Sequence, residues 1–258
     1  MNKIELIKYL NDFLKNKLYS DSSKNGLQVD SQNHEIKKIW YAVDATSYIF
    51  EKAIIEWVDM LLTHHWIYWW REEVLVWIPY KRVKALIDNN ICLYSSHLPL
   101  DANREVWNNI WLLKAFVNMF WLQKDEYKIE KVWEYDWNNI WYWLKFDKKV
   151  HISNIVMPFA EQMQLIKRLF NFWNKTYINS IAFISGWWWS VIWEISEKNY
   201  DLLVTWETVH HEMILAKELS LSILVWWHYE TEKIWPKLLA LHLKKKFGIE
   251  TVYLDEKY

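Results

Sequence analysis

Apolar residues near the start of the chain recur at steps of three and four: Ile4, Ile7, Leu10, Phe13, Leu14 and Leu18. That spacing lays them along one face, so residues 3–18 are predicted to form an amphipathic helix. Residues 36–43, 58–63 and 91–96 are short apolar runs of strand length. Between them, residues 45–56 carry a helical period, and residues 79–89 open on a proline, which a first helical turn tolerates. Strand and helix alternate, which predicts βαβ units with parallel pairing.

Residues 125–150 are more polar and strand-like, with turn candidates at 135–137 and 147–149. The alternation then resumes: helix 159–172, strand 178–184, helix 190–198, strand 201–205, helix 207–219, strand 221–226, helix 230–246 and strand 249–254. Gly248 suits the C-cap of the last helix. The pattern predicts an α/β protein of two α/β lobes, with a soft boundary near residue 124. Residues 1–124 would form the N-terminal lobe and residues 125–258 the C-terminal lobe.

Charge narrows the function classes. The 258 residues include 31 basic and 32 acidic side chains, a net charge of -1. A broad nucleic-acid or acidic-membrane surface needs a basic excess, so nucleic acid is not expected as a partner. Cys92 is the single cysteine, which excludes an intrachain disulfide and a cysteine-based zinc site. No uncharged apolar stretch approaches the roughly 18 to 20 residues of a membrane span. The charged N-terminal segment lacks the apolar core of a signal peptide. A cytoplasmic location, away from membranes, is expected.

One feature of the composition is abnormal. A chain of this length ordinarily carries about 18 glycines; this one has 3, together with 22 tryptophans. The tryptophans stand at glycine-like positions. Trp187, Trp188 and Trp189 follow Gly186 at a strand-to-helix turn, Trp226 and Trp227 end a strand-like run, and Trp57 sits where a helix C-cap glycine belongs. Trp66 follows a histidine pair at a strand end. The expectation is that most of them stand for glycine encoded by UGA, a codon read as glycine in some bacterial lineages and as tryptophan in other reassigned codes. Trp69 is the candidate for a genuine tryptophan.

Three clusters combine histidine with carboxylate at the ends of predicted strands, where α/β folds place their sites. They are Thr63-His64-His65, His97-Leu-Pro-Leu-Asp101 and His228-Tyr-Glu230-Thr-Glu232. Neutral imidazole and ionised carboxylate suit zinc, iron, manganese or nickel. His228 and Glu232 are four apart, a spacing that places both on one helical face. Each cluster alone is a common accident; their joint occurrence at strand ends is not. By contrast, His210-His211 falls within a predicted helix and reads as a solvated face, and His34, His151 and His242 read as structural.

These motifs, with Asn25-Gly-Leu-Gln-Val29, Val43-Asp-Ala-Thr46 and Thr205-Trp-Glu207, give the chain a resemblance to the NIF-three-like family of dinuclear metal-centre hexameric proteins, the GTP cyclohydrolase 1 type 2 homologues. The resemblance covers nearly the whole chain. Its departures are almost all at glycine positions: the family pattern has glycine at 66, 187 to 189, 206 and 227. The resemblance implies that His64, His65, Asp101, His228 and Glu232 bind two divalent metal ions in a cleft between the lobes, with His97 ligating or hydrogen-bonding beside them. It implies a homohexamer acting as a metal-dependent hydrolase on a nucleotide or related small molecule. His97, Glu207 and Glu230 are the catalytic candidates, the two glutamates for proton transfer. The alternative is a non-enzymatic metal-binding scaffold or metal chaperone.

Overall fold

The structure, a computed structural model, describes residues 1–68, 74–103, 113, 117, 126–131, 134–135, 138–139, 142–156, 166–172, 174–184, 192–226 and 228–256. The chain divides into two units, Met1–Trp107 with Glu232–Tyr258, and Asn108–Thr231.

The first unit opens with helix α1 (Lys3–Leu14), N-capped by Asn2, whose side chain accepts from Ile4 N and Glu5 N. Leu6, Leu10 and Leu14 are buried on one face, and each burial contributes about 1.5–3 kcal/mol. The helix stops short of the predicted residue 18 because Lys15 adopts a left-handed φ of 56°. Ile4 and Leu18, which the apolar period assigns to the buried face, are exposed.

Strands β1 (Gly26–Val29), β2 (Lys38–Ala42), β3 (Met60–Thr63) and β4 (Cys92–Ser95) belong to one five-stranded sheet. Its order is β1-β4-β3-β2-β13, where β13 is Glu250–Tyr253. Pairing is parallel from β4 to β13, and β1 runs antiparallel to β4. Helices α2 (Ser47–Ile55) and α3 (Trp77–Asp88) are the crossovers, as the alternation predicts. Trp40, Ile49, Phe50, Ala53, Leu61, Leu86 and Leu93 form part of its core. The sequence assigns residues 232–258 to the second lobe. They return to the first sheet instead, because β13 pairs with the edge of β2, Glu250 opposite Lys38 and Tyr253 opposite Tyr41.

The second unit contains β5 (Tyr127–Lys131), the short pair β6 (Glu134–Tyr135) and β7 (Asn138–Asn139), β8 (Tyr142–His151), β9 (Ile166–Phe170), β10 (Tyr177–Ile184), β11 (Leu202–Thr205) and β12 (Ser222–Trp226). Its six-stranded sheet has the order β5-β8-β10-β11-β12-β9, with β10, β11 and β12 parallel. Strand β9 corrects the predicted helix 159–172. The Ile166-to-Leu169 spacing fits a helix, but the open edge of β12 supplies a row of backbone partners, and Leu224 pairs with Leu169 and Val225 with Arg168. No helix among the described residues is long and apolar enough to cross a membrane.

Among the described residues, two tryptophans take left-handed backbone, Trp57 (φ 55°) just after α2 and Trp77 (φ 50°) at the start of α3. Both side chains are exposed, at 87% and 83%. Trp66 is not left-handed; it is buried and packed edge-on against Tyr68 at 5.6 Å. Trp69, Trp187, Trp188, Trp189 and Trp227 lie outside the described residues.

Candidate metal centre

Because β2, β3 and β4 run parallel, their carboxyl ends line one edge of the first sheet. Asp44 follows β2, His64 and His65 follow β3, and His97 follows β4. Open α/β sheets collect their binding groups at such an edge. Backbone bonds carry the ladder past the strand ends: His64 N and His65 N donate to Val43 O at 3.0 and 2.9 Å, and Ser96 N donates to Thr63 O at 3.0 Å. Thr63 Oγ1 donates to His65 O at 2.8 Å.

Each of the three imidazoles is held through Nδ1. That of His64 lies 3.0 Å from Ser96 O, and that of His65 lies 2.7 Å from Asp44 Oδ1. That of His97 lies 3.0 and 3.2 Å from the two Asp21 oxygens. An acceptor at Nδ1 puts one ring proton there, so that Nε2 is the nitrogen that offers a lone pair once the ring is neutral. Ligand nitrogens of His64, His65 and His97 come within 4.8 Å of one another.

Two carboxylates face the same nitrogens. Asp101 sits on the short helix α4 (Leu98–Ala102), and its Oδ2 is 3.8 Å from His64 Nε2. Glu232 places Oε1 3.4 Å from His64 Nε2 and Oε2 3.3 Å from His65 Nε2. His64, His65, Asp101 and Glu232 are all buried. Burial opposes the imidazolium of His65, but the Glu232 carboxylate, with Asp44 behind the ring, outweighs it and holds the group up at about 9.

The residues fit a divalent cation. Among the described residues, His64 Nε2 is fully enclosed and has no hydrogen-bond partner, although it faces two carboxylates. Buried anionic oxygens cost several kcal/mol each without a compensating positive charge. Nitrogen and oxygen donors without a thiolate match zinc, iron, manganese or nickel.

Of the other sequence candidates, His228 opens the short helix His228–Glu232, so it and Glu232 leave the same helical face. Its Nδ1 lies 3.3 Å from Glu207 Oε1, and its ring is 5.1 Å from that of Trp206. Glu207 is mostly exposed, and Glu230 lies on the same helix as His228. His210 and His211 are exposed on the helix His210–Glu218, as expected. Sequence reasoning missed the Asp44 and Asp21 carboxylates behind His65 and His97. Asp44 lies in a quoted motif, Val43-Asp-Ala-Thr46, whereas nothing local marks Asp21.

The pattern of the Duf34/NIF3 (NGG1p interacting factor 3) family matches residues 1–257. The chain belongs to this family. Among similar DUF34/NIF3 proteins, the GTP cyclohydrolase 1 type 2 homolog of Pyrococcus horikoshii is 36% identical over 255 residues, covering 99% of this chain and 98% of its own. That of Archaeoglobus fulgidus is 32% identical over 263 residues, covering 99% of this chain and 98% of its own. Among solved structures, TTHA1606 from Thermus thermophilus has a TM-score of 0.82 at 28% identity, covering 100% of this chain and 99% of that one. The protein ybgI, described as of unknown function, reaches a TM-score of 0.85 at 22% identity, over 100% of this chain and 99% of that one, and shows the shared fold.

Proposed function

We propose that this DUF34/NIF3 protein is a metal-dependent hydrolase of a nucleotide or related small molecule, with a dinuclear centre held by His64, His65, Asp101, His228 and Glu232. The observation that carries the reading is the buried His64 Nε2, which faces the Glu232 and Asp101 carboxylates at 3.4 and 3.8 Å and makes no hydrogen bond among the described residues. The spacing of His228 and Glu232 on one short helix supports the fifth ligand. The names of the curated relatives support a nucleotide substrate. Bound ions would supply Lewis-acid polarisation of a phosphoryl or ring carbon and acidify water for attack.

The chain's own residues do the rest. Asp44 and Ser96 O fix the rings of His65 and His64, so that two basic nitrogens point one way. Glu207 and Glu230 are the carboxylates assigned to proton transfer. Self-association into a homohexamer belongs to the same reading, supported by the exposed apolar residues Val74, Leu75, Val76 and Ile78.

The test is elemental analysis of protein carrying glycine at the anomalous tryptophan positions, followed by a metal-dependent screen over nucleotides and phosphoesters. Bound metal with turnover that a chelator abolishes is the expected result. Absence of bound metal after reconstitution overturns the reading, and bound metal without turnover transfers the centre to the scaffold or chaperone role.

A further inference from the structure

A knot of polar contacts ties the loop before β1 to the loop after β4. The pairing of Gly26 with Ser95 brings the two loops side by side. Asn25 Oδ1 accepts from His97 N at 2.7 Å, while Asn25 Nδ2 donates to Asp21 Oδ2 at 2.9 Å. Asp21 also accepts from Ser23 N and from Leu98 N, each at 3.0 Å. With those bonds made, both Asp21 oxygens still reach His97 Nδ1. The Asp21 side chain is 2% exposed. A carboxylate buried so deeply and bonded from four sides cannot turn away, so the ring it holds cannot turn either.

We propose that Asp21 is the positioning residue of His97, locking the imidazole with its proton on Nδ1 so that Nε2 serves as a further metal donor beside His64 and His65. The ring centroid of His97 lies 5.1 Å from that of His64 and 5.7 Å from that of His65. All three rings are therefore anchored in the same sense, Nδ1 outward to a protein oxygen. A bare histidine on a loop after a strand samples several rotamers, and Asp21 removes that freedom. Carboxylates behind metal-binding histidines act in this way, and their loss typically weakens metal binding 10–100-fold. The inference rests on the metal-centre reading above and adds a donor and its anchor to it.

The experiment is cobalt(II) titration of the apoprotein, followed by visible absorption, for the parent and for Asp21→Ala, Asp21→Asn, His97→Ala and the Asp21→Ala/His97→Ala pair. Asp21→Ala should weaken binding about 10–100-fold. His97→Ala should weaken it and shift the d–d bands, and the pair should match His97→Ala alone, because Asp21 acts only through the ring. Asp21→Asn keeps an oxygen acceptor and should recover most of the binding; its intact fold, by circular dichroism, guards against a collapsed Asp21→Ala variant. Parent-like binding and spectrum in His97→Ala, or additive losses in the pair, overturn the proposal while leaving the centre standing. Failure of the parent protein itself to bind cobalt overturns the centre, and this inference with it.

Discussion

Replacing Trp57 and Trp77 with glycine should stabilise the protein, against the rule that deleting a large apolar side chain destabilises. Both residues hold left-handed φ, 55° and 50°. An L-residue with a Cβ loses about 1–2 kcal/mol in that region. Glycine relieves the clash and gives back about 0.5–1 kcal/mol through the greater freedom of its unfolded chain. Little packing is lost, since the side chains are 87% and 83% exposed. The net gain is about 0.5–1 kcal/mol per site, or about 1–2 kcal/mol for the pair. At ~2–4 °C per kcal/mol for a chain of this size, the double variant should melt roughly 2–8 °C higher. Trp235→Gly is the opposite case: that side chain is fully buried within the helix Ile234–Phe247. Its loss should cost about 3–5 kcal/mol and lower the melting temperature by roughly 6 °C or more. Thermal melts of the parent, the double variant and Trp235→Gly decide it. A double variant melting below the parent would show that the exposed tryptophans are held by contacts, and the glycine argument would fall.

Three further outcomes follow from the site and the core. Asp101→Ala should lose bound metal by elemental analysis, whereas His211→Ala, on an exposed helical face, should keep it; equal loss in both would count against the ligand assignment. Chelation should lower the melting temperature, because an ion at a hundred times its dissociation constant adds about 2.7 kcal/mol to the folded state; an unchanged melt would mean that nothing binds the buried cluster. Cys92 is buried, and burial pushes its thiol up to about 12, so an aromatic disulfide reagent at pH 8 should leave the native protein unlabelled and react on unfolding. Rapid stoichiometric labelling of the native protein would contradict the packing around β4.

The parallel core of the first sheet was legible because β2, β3 and β4 are apolar runs separated by helical periods. The ends of those strands located His64, His65, His97 and Asp101 by the same logic. The edges were not legible. Strand β1 carries only four residues, and β9 has a spacing that fits a helix equally well, so pairing partners decide both. Strand β13 follows a helix in sequence but belongs to a sheet built from the start of the chain, and no local pattern records that return. The anchors Asp21 and Asp44 were missed for a related reason. A carboxylate behind a histidine ring is a tertiary contact, and the sequence shows neither its direction nor its distance.

The return of β13 has a consequence for synthesis. Strands β1 to β4 leave the ribosome early, and the edge of β2 that pairs with β13 stays open while the whole second unit is made. An open strand edge is a template for pairing with other chains, and partly made proteins aggregate through such edges. Glu232 emerges just ahead of that closing strand. A nascent chain therefore gains the carboxylate that faces His64 and His65 only shortly before β13 covers that side of β2, so the ligand set and the fifth strand of the sheet arrive almost together.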